Sequence, residues 1–250
     1  MTRTARWTLG LGVLGAFVWS AWATEVSASR VVEGLPFMLD FIRRMVPPDL
    51  SVMGHALHGA IQTLEIAVVG TLTAAVLALP VGFAAARNAG PPWLFYGARS
   101  VLNAFRAVDT LVYALFFVAA VGLGPFPGVL AVVVYTATVL AKLYSEAIEA
   151  IDPGPVEAVK AAGATPLQVL RWGVLPQLVP QFLSFALYRF ETNIRAAAVL
   201  GFVGAGGIGF YIQTYLRMLN YPAASAVLLV LVGLVMLVDF TSSKLRARLI

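Results

Sequence analysis

The sequence predicts an all-α membrane protein, a bundle of six transmembrane helices. The 250-residue chain is 60% hydrophobic and only 12% charged, whereas soluble domains carry about 25% charged residues. Its mean hydropathy is +0.87. Long apolar runs alternate with short segments rich in Gly, Pro, Lys and Arg. This pattern is typical of helices that satisfy their backbone hydrogen bonds inside lipid.

The charge balance and the absence of cysteine limit the functional classes. The formal net charge is +5. Lys and Arg lie between the apolar runs and near both termini, which is the positive-inside pattern of membrane proteins. We therefore expect a phospholipid bilayer around the chain and no nucleic-acid partner. Because the chain has no cysteine, disulfides and thiolate chemistry are excluded.

The first apolar run covers residues 7–23 and follows Arg3 and Arg6. It is near the lower length limit for a membrane-spanning helix. A cleaved signal peptide is the alternative, because the Ala-Trp-Ala sequence at residues 21–23 resembles a cleavage site. We favour a retained first helix, since the rest of the topology requires a cytoplasmic N-terminus.

Residues 24–54 show apolar side chains at helical spacing among charges that nearly cancel. This composition indicates an extracytoplasmic amphipathic helix at the membrane interface, which the proline pair at residues 47–48 would end. We predict two parts of the chain on this basis. Residues 1–56 hold the first helix and the amphipathic segment, and residues 57–250 form a five-helix core.

The core is predicted to contain the remaining five spans. They are expected at about residues 57–86, 99–121, 129–144, 174–200 and 222–240. The cytoplasmic segments would then hold most basic residues, namely Arg3, Arg6, Arg87, Arg99, Lys142, Lys160, Arg171, Lys244, Arg246 and Arg248. This charge bias agrees with the span count and predicts that both termini are cytoplasmic.

A polar segment at residues 145–172 interrupts the apolar pattern. Pro155 suits the first turn of a short helix. Gly163 is expected to end this helix, and Thr165-Pro166 to begin another. Short helices bounded by Pro and Gly make a rigid projection that a cytoplasmic partner can bind.

This segment contains the motif E-A-x-x-x-x-G, followed nine residues later by x-x-L-P. Its defining residues are Glu157, Ala158, Ala161, Gly163, Leu175 and Pro176. The motif resembles the EAA loop of ABC importer permeases, the cytoplasmic element that docks on a separate ATPase. Glu157 is expected in the first helical turn, where a carboxylate is favoured by the helix dipole. An ordinary capped loop is the alternative.

The motif departs from the family pattern at two positions. Val159 replaces a small residue, and Gly173 stands where an aliphatic residue is common. We expect each change to weaken the contact between the short helices without abolishing it.

Three further stretches resemble the permease subunit of phosphonate importers. They are residues 121–126, 188–195 and 199–209, and the likeness extends over roughly residues 57–245. The resemblance implies the type I ABC importer permease fold and a translocation subunit without catalytic residues. The implied cargo is phosphonate or a related oxyanion such as phosphite or hypophosphite.

The same resemblance implies a set of partners in a bacterial inner membrane. They are a second copy of the chain, two ATPase subunits, and a periplasmic or lipid-anchored binding protein. The chain has no P-loop lysine motif. We therefore expect ATP and Mg on the partner ATPase and no cofactor on this chain.

The glycine-rich turn after the fifth span matches a dinucleotide fingerprint by pattern only. It lacks a preceding strand and the acidic residue about 20 positions later. A flexible turn at the outer gate is the favoured interpretation. Its residues are Gly204, Gly206, Gly207 and Gly209.

Charged residues inside the predicted spans are the candidates for direct contact with solute. Arg106 and Asp109 are three positions apart, and Glu191 and Arg195 are four apart, so each pair is expected to share a helix face. Neutralising pairs that hold the bundle together are the favoured interpretation. Alternatively, Arg106 or Arg195 lines the path of an oxyanion. Asn193 suits either role.

Other functions are less compatible with the sequence. Methionine or another small solute is the alternative cargo within the same class. An ion channel or an intramembrane enzyme is the alternative from another class, but the paired catalytic residues of such enzymes are missing and a channel needs no docking motif. His55 and His58 lack carboxylate or cysteine neighbours at ligand spacing, so we expect no metal site.

Overall fold

The computed structural model describes residues 3–246, and these residues form helices joined by turns. The chain divides into two compact units, Met1–Pro47 and Pro48–Ile250. Arg248, predicted to be a cytoplasmic charge, lies outside the described residues. The all-α membrane fold class is confirmed.

The first unit contains helices α1 (Arg3–Ala23) and α2 (Ala28–Arg44). The apolar part of α1, Gly10–Ala23, is shorter than the other candidate spans. Helix α2 corresponds to the amphipathic helix predicted within residues 24–54. It ends at Arg44, before the proline pair, and its Arg44 side chain pairs with Asp40 at 2.8 Å.

The second unit contains the remaining helices. They are α3 (Met53–Ala84), α4 (Pro92–Arg106), α5 (Thr110–Val121), α6 (Pro125–Glu149), α7 (Pro153–Ala161), α8 (Pro166–Val169), α9 (Leu175–Leu200), α10 (Ile208–Arg217) and α11 (Tyr221–Arg246). A π-helical turn at Leu170–Val174 joins α8 to α9. Four helical stretches of the described chain are long and apolar enough to span a membrane, and α4 with α5 makes a fifth if the pair is one span. The six predicted spans thus correspond to these stretches plus the shorter apolar α1.

The third predicted span is broken between α4 and α5, whose axes differ by 81°. Asp109 caps α5, because its carboxylate accepts a hydrogen bond from the Leu111 backbone N–H at 2.8 Å. Arg106 is the last residue of α4. The prediction that Arg106 and Asp109 share one helix face is therefore wrong. The sequence has no Gly or Pro at this break, and the local signal for it is Asp109 itself, a residue type favoured at helix N-caps.

Helices α3 and α6 run parallel and pack closely through small residues. A Cβ atom at Gly70 would lie 2.5 Å from Val132, and one at Gly82 would lie 2.9 Å from Tyr144. Small residues at such interfaces let helix backbones approach closely in a membrane. The ring of Tyr144 stacks on Phe182 at 4.0 Å, which brings α9 into the same core.

The C-terminal end of α6 is tied to the loop after α3 and to the middle of α4. The Glu149 carboxylate accepts hydrogen bonds from the Arg87 backbone N–H at 2.6 Å and from the Arg99 guanidinium at 2.9 and 3.0 Å. Asn88 donates to the Ile148 carbonyl at 2.9 Å. These bonds fix the point from which α6 continues into α7.

Candidate functional site

The polar segment folds into two short helices, as predicted. Helix α7 begins at Pro153 rather than at Pro155, because Asp152 is its N-cap and accepts from the Gly154 N–H at 2.9 Å. Glu157 therefore lies beyond the first turn, and the predicted interaction of its carboxylate with the helix dipole is wrong. Gly163 ends the helix at φ +77°, in the left-handed region.

The second short helix starts with a capping box. The Thr165 backbone N–H donates to the Gln168 side chain at 2.8 Å. The helix then continues through the π-helical turn into α9. We call α7, α8 and this turn the docking segment, and it is joined without a break to a membrane-spanning helix. The proline at position 166 lies at the predicted helix start.

Gly173 lies in the π-helical turn and packs against α7. A Cβ atom there would lie 3.1 Å from the Cα atom of Val156. Because a side chain at this position would require α7 to shift by a few tenths of an ångström, glycine allows the closer contact. The expectation that Gly173 weakens the contact is therefore wrong.

Gln177 hydrogen-bonds to the residue before α7 and to the π-helical turn, and it is not part of the sequence motif. Its Oε1 atom accepts from the Asp152 backbone N–H at 2.9 Å, and its Nε2 atom donates to the Asp152 carbonyl at 3.2 Å and the Gly173 carbonyl at 2.7 Å. The only sequence signal was a polar residue directly after the Leu-Pro pair. This side chain therefore links the N-cap residue of α7 directly to the first turn of α9.

The residues of the docking motif are accessible in the described structure. Glu157, Ala158, Ala161, Gly163, Leu175 and Pro176 are all exposed. Beside them, Leu167 is 74% exposed and Trp172 is 63% exposed. A rigid surface of small residues with large apolar neighbours is suited to a protein partner.

The middle of the bundle contains a polar cluster formed by Thr71 on α3, Thr136 on α6, and Arg189 and Asn193 on α9. The Asn193 amide donates to Thr71 at 2.8 Å and accepts from Thr136 at 3.0 Å. Arg189 Nη2 donates to Asn193 Oδ1 at 3.2 Å. The predicted residue Asn193 is thus buried and fully engaged with neighbouring helices, and Arg189 joins the cluster although sequence reasoning did not select it.

Glu191 and Arg195 do not pair with each other. Glu191 accepts from the Arg246 guanidinium at 2.7 Å, and Arg195 binds both oxygens of Asp239 at 3.0 Å. Both partners lie on α11, which runs antiparallel to α9. The prediction of a Glu191–Arg195 pair is wrong, because each side chain faces an oppositely charged residue of the neighbouring helix.

The glycine-rich turn between α9 and α10 adopts the backbone geometry that requires glycine. Gly204, Gly206 and Gly207 have φ values of +84°, +75° and +78°, in the region that side-chain-bearing residues avoid. The Gly204 carbonyl accepts from the Gly124 N–H at 2.9 Å. The turn is thereby joined to the loop between α5 and α6.

This turn is also tightly packed, which differs from the flexible turn expected. The Gly207 and Ile208 N–H groups donate to the Gln62 and Thr63 side chains of α3 at 2.6 and 2.8 Å. A Cβ atom at Gly209 would overlap the Ala198 carbonyl oxygen. Any gating movement here must therefore carry α3 and α10 together.

The fold and the docking segment define an inner-membrane translocation subunit of an ABC importer. Residues 78–249 match the family described as binding-protein-dependent transport system inner membrane component. The chain belongs to this family, whose members work with a separate ATPase and a solute-binding protein and are not themselves enzymes.

Relatives and a solved structure agree with this assignment. The chain is 44% identical over 236 residues to the phosphite transport system permease protein PtxC of Stutzerimonas stutzeri, covering 94% of this chain and 86% of that protein. It is 38% identical over 232 residues to the phosphate-import permease protein PhnE of Mycolicibacterium smegmatis, covering 92% of this chain and 44% of that one.

The structural relative is more distant in sequence. An inward-facing structure of the MetNI methionine ABC transporter superposes with a TM-score of 0.71 at 27% identity, covering 81% of this chain and 99% of that chain. The predicted type I importer permease fold is therefore confirmed.

Proposed function

We propose that this chain is the permease of an ATP-driven importer for phosphite, phosphonate or a closely related phosphorus oxyanion. The observation that carries the proposal is the 44% identity with a phosphite permease over 94% of the chain. The similarity to the methionine transporter is lower, at 27%. This more distant similarity makes methionine the alternative cargo.

The assembly we propose contains two copies of this chain, two ATPase subunits and an extracytoplasmic binding protein. ATP and Mg belong to the ATPase, and this chain supplies no cofactor site. The docking segment follows α6 and precedes α9, next to the basic residues Arg87, Lys160 and Arg171. This arrangement supports a cytoplasmic position for the segment and for both termini.

Transport in this proposal couples through α7. Closure of the ATPase dimer on ATP draws the two copies of α7 together. The Gln177 and Gly173 contacts pass this movement to α9, and the Glu149 contacts pass it to α3 and α4. The bundle then opens outward and receives solute from the binding protein. Hydrolysis of ATP returns it to the inward-facing state.

The test is uptake by proteoliposomes that contain the chain with an ATPase subunit and a binding protein from the same organism. We expect ATP-dependent accumulation of radiolabelled phosphite or methylphosphonate. Accumulation of methionine without either phosphorus compound would contradict the proposed cargo. ATP-independent flux of ions would contradict the transporter class.

The docking role has its own test. Glu157→Arg reverses a charge on the exposed face of α7 and should reduce copurification of the ATPase. Glu33→Arg makes the same change on exposed α2 and should leave copurification unchanged. Equal recovery of the ATPase with both variants would contradict docking at α7.

A further inference from the structure

The charged residues of α9 differ in how they are neutralised. Glu191 pairs with Arg246 and Arg195 pairs with Asp239. Lys142 on the facing helix α6 pairs with Glu146. Within the described residues, Arg189 belongs to none of these ion pairs. It is the half-buried cation of this helix that has no carboxylate partner.

Arg189 lies in the middle of the bundle. It is about 20 Å from the first residue of α9, since an α-helix rises about 1.5 Å per residue. Among the residues that the structure describes, its guanidinium contacts neutral groups: Nη2 lies 3.2 Å from Asn193 Oδ1 and 3.5 Å from Thr136 Oγ1, and the Tyr135 ring centroid is 5.4 Å from Cζ. The buried Nε atom has no hydrogen-bond partner in the described structure.

These contacts give a cation with unused donors at membrane depth. A charge in this position is costly unless an opposite charge meets it, and such residues mark solute and ion pathways. The Asn193 amide already has both of its polar atoms engaged by Thr71 and Thr136. The bundle therefore does not need a positive charge at position 189 to satisfy its buried amide.

We propose that the Arg189 guanidinium is a contact for the transported phosphorus oxyanion during its passage through the membrane. This inference rests on the proposed function. The two Nη atoms form a fork that can bind two oxygens of a phosphorus oxyanion, and the unpartnered Nε shows that the surrounding side chains do not satisfy all the donors of the cation. The Asn193 and Thr136 contacts hold the fork by neutral groups, so the site attracts an anion without retaining it.

This proposal assigns the anion contact to Arg189 and not to Arg106 or Arg195, the two candidates from the sequence. Arg195 is neutralised by Asp239. Arg106 is an exposed residue at the end of α4. Arg189 alone among the three combines partial burial, a central position in the bundle and an unpaired buried donor.

The test uses the complete transporter in proteoliposomes, with radiolabelled phosphite and the binding protein outside and ATP inside. We expect Arg189→Gln to lower the maximal uptake rate about tenfold or more, the effect of one charge-assisted contact. The KM for phosphite should be unchanged, because the binding protein sets it. Arg189→Lys, which keeps the charge without the fork, should lose less activity and serves as the second variant if Arg189→Gln does not assemble.

A matched control separates anion contact from structural support. Thr71→Val breaks the bond to Asn193 on the side away from Arg189 and leaves the charge in place. We expect Thr71→Val to lower the melting temperature more than Arg189→Gln does and to lower uptake per assembled complex less. Arg189→Gln should show the opposite pattern. Parallel losses of melting temperature and uptake in both variants would make Arg189 a structural residue and overturn the inference.

The absence of native cysteine in the chain permits a direct test of charge. In Arg189→Cys, the cationic reagent 2-aminoethyl methanethiosulfonate should restore part of the uptake, and neutral methyl methanethiosulfonate should not. Phosphite should slow the labelling during turnover. The wild-type transporter treated with the same reagents controls for thiols of the partner subunits.

Two outcomes distinguish the inference from the function on which it rests. Wild-type uptake of phosphite with unchanged uptake by Arg189→Gln and Arg189→Cys would overturn this inference alone. A wild-type transporter that carries neither phosphite nor methylphosphonate would overturn the proposed function and this inference together.

Discussion

The Gln177 side chain hydrogen-bonds to both backbone polar groups of Asp152: Oε1 accepts from the N–H at 2.9 Å and Nε2 donates to the carbonyl at 3.2 Å. Asp152 is the N-cap of α7, and Gln177 lies in the first turn of α9. One amide thus closes the base of the docking segment. The segment moves as a unit with α9 as long as this connection holds.

Gln177→Leu should separate transport from ATP hydrolysis. The substitution keeps a similar volume but removes three hydrogen bonds, each with a net value of about 1 kcal/mol. We expect the ATPase to copurify normally while more ATP is hydrolysed per phosphite taken up. The measurement is the ratio of the two rates in proteoliposomes.

The control for this variant is Gln181→Leu, one turn later on α9. Gln181 is exposed, so its replacement should leave the ratio unchanged. A wild-type ratio in Gln177→Leu would show that the amide does not transmit movement between α7 and α9.

Substitutions of Gly163 should follow backbone preference rather than side-chain size. A Cβ atom there meets nothing within 4 Å, but φ is +77°. Forcing an ordinary residue into this region costs about 1–2 kcal/mol, and Asn tolerates it best. We expect ATPase binding and coupled uptake to decrease in the order Gly, Asn, Ala, Val, measured by titrating each variant complex with the ATPase. Equal effects of Asn and Val would contradict a backbone origin.

Local signals in the sequence identified the docking segment well. Gly163 ends α7 and Thr165 begins α8, as predicted from their helix-ending and capping preferences. The predicted start of α7, at Pro155, was two residues too late. Asp152 and Pro153 are equally suited to begin a helix, and the structure uses them. Nothing in the motif indicated Gln177, whose role depends on a partner 25 residues earlier.

The charged residues of the spans were the least predictable part. Spacing within one helix predicted the pairs Arg106–Asp109 and Glu191–Arg195, but both depend on information from elsewhere in the fold. Asp109 is used to cap α5. Glu191 and Arg195 each face α11, where their partners lie 55 and 44 residues further along the chain. Helical periodicity cannot say which helix becomes the neighbour.

Gly209→Ala should prevent normal folding of the glycine-rich turn between α9 and α10. The new Cβ atom would overlap the Ala198 carbonyl oxygen, which belongs to the backbone and cannot rotate away. Overpacking of this kind costs about 1–3 kcal/mol or more. We expect a low yield and a lower melting temperature in detergent.

Gly233→Ala is the matched control, because a Cβ atom in that part of α11 meets nothing within 4 Å. Its melting temperature should equal or slightly exceed that of the wild type, since Ala is the better helix former. Normal yield and stability in Gly209→Ala would show that the turn can open at little energetic cost, and would favour the flexible turn expected from the sequence.

Glu191 and Arg246 should prove energetically coupled. The Glu191 side chain is 8% exposed and the Arg246 side chain is 30% exposed, with 2.7 Å between their charged atoms. Removing one member leaves the other without its counterion in a poorly solvated position, which costs about 3–5 kcal/mol for a buried pair. Removing both members together should cost less than the sum of the single changes.

The measurement is a double-mutant cycle with Glu191→Gln, Arg246→Gln and the double variant, followed by thermal unfolding in detergent. We expect a coupling energy of about 1–3 kcal/mol, typical of residues in direct contact. Because Glu191 lies on α9 and Arg246 on α11, the same cycle tests whether this ion pair holds the two helices together. Additive effects of the two substitutions would mean that this ion pair contributes nothing to stability and that α9 is held by its other contacts, including the Arg195–Asp239 pair.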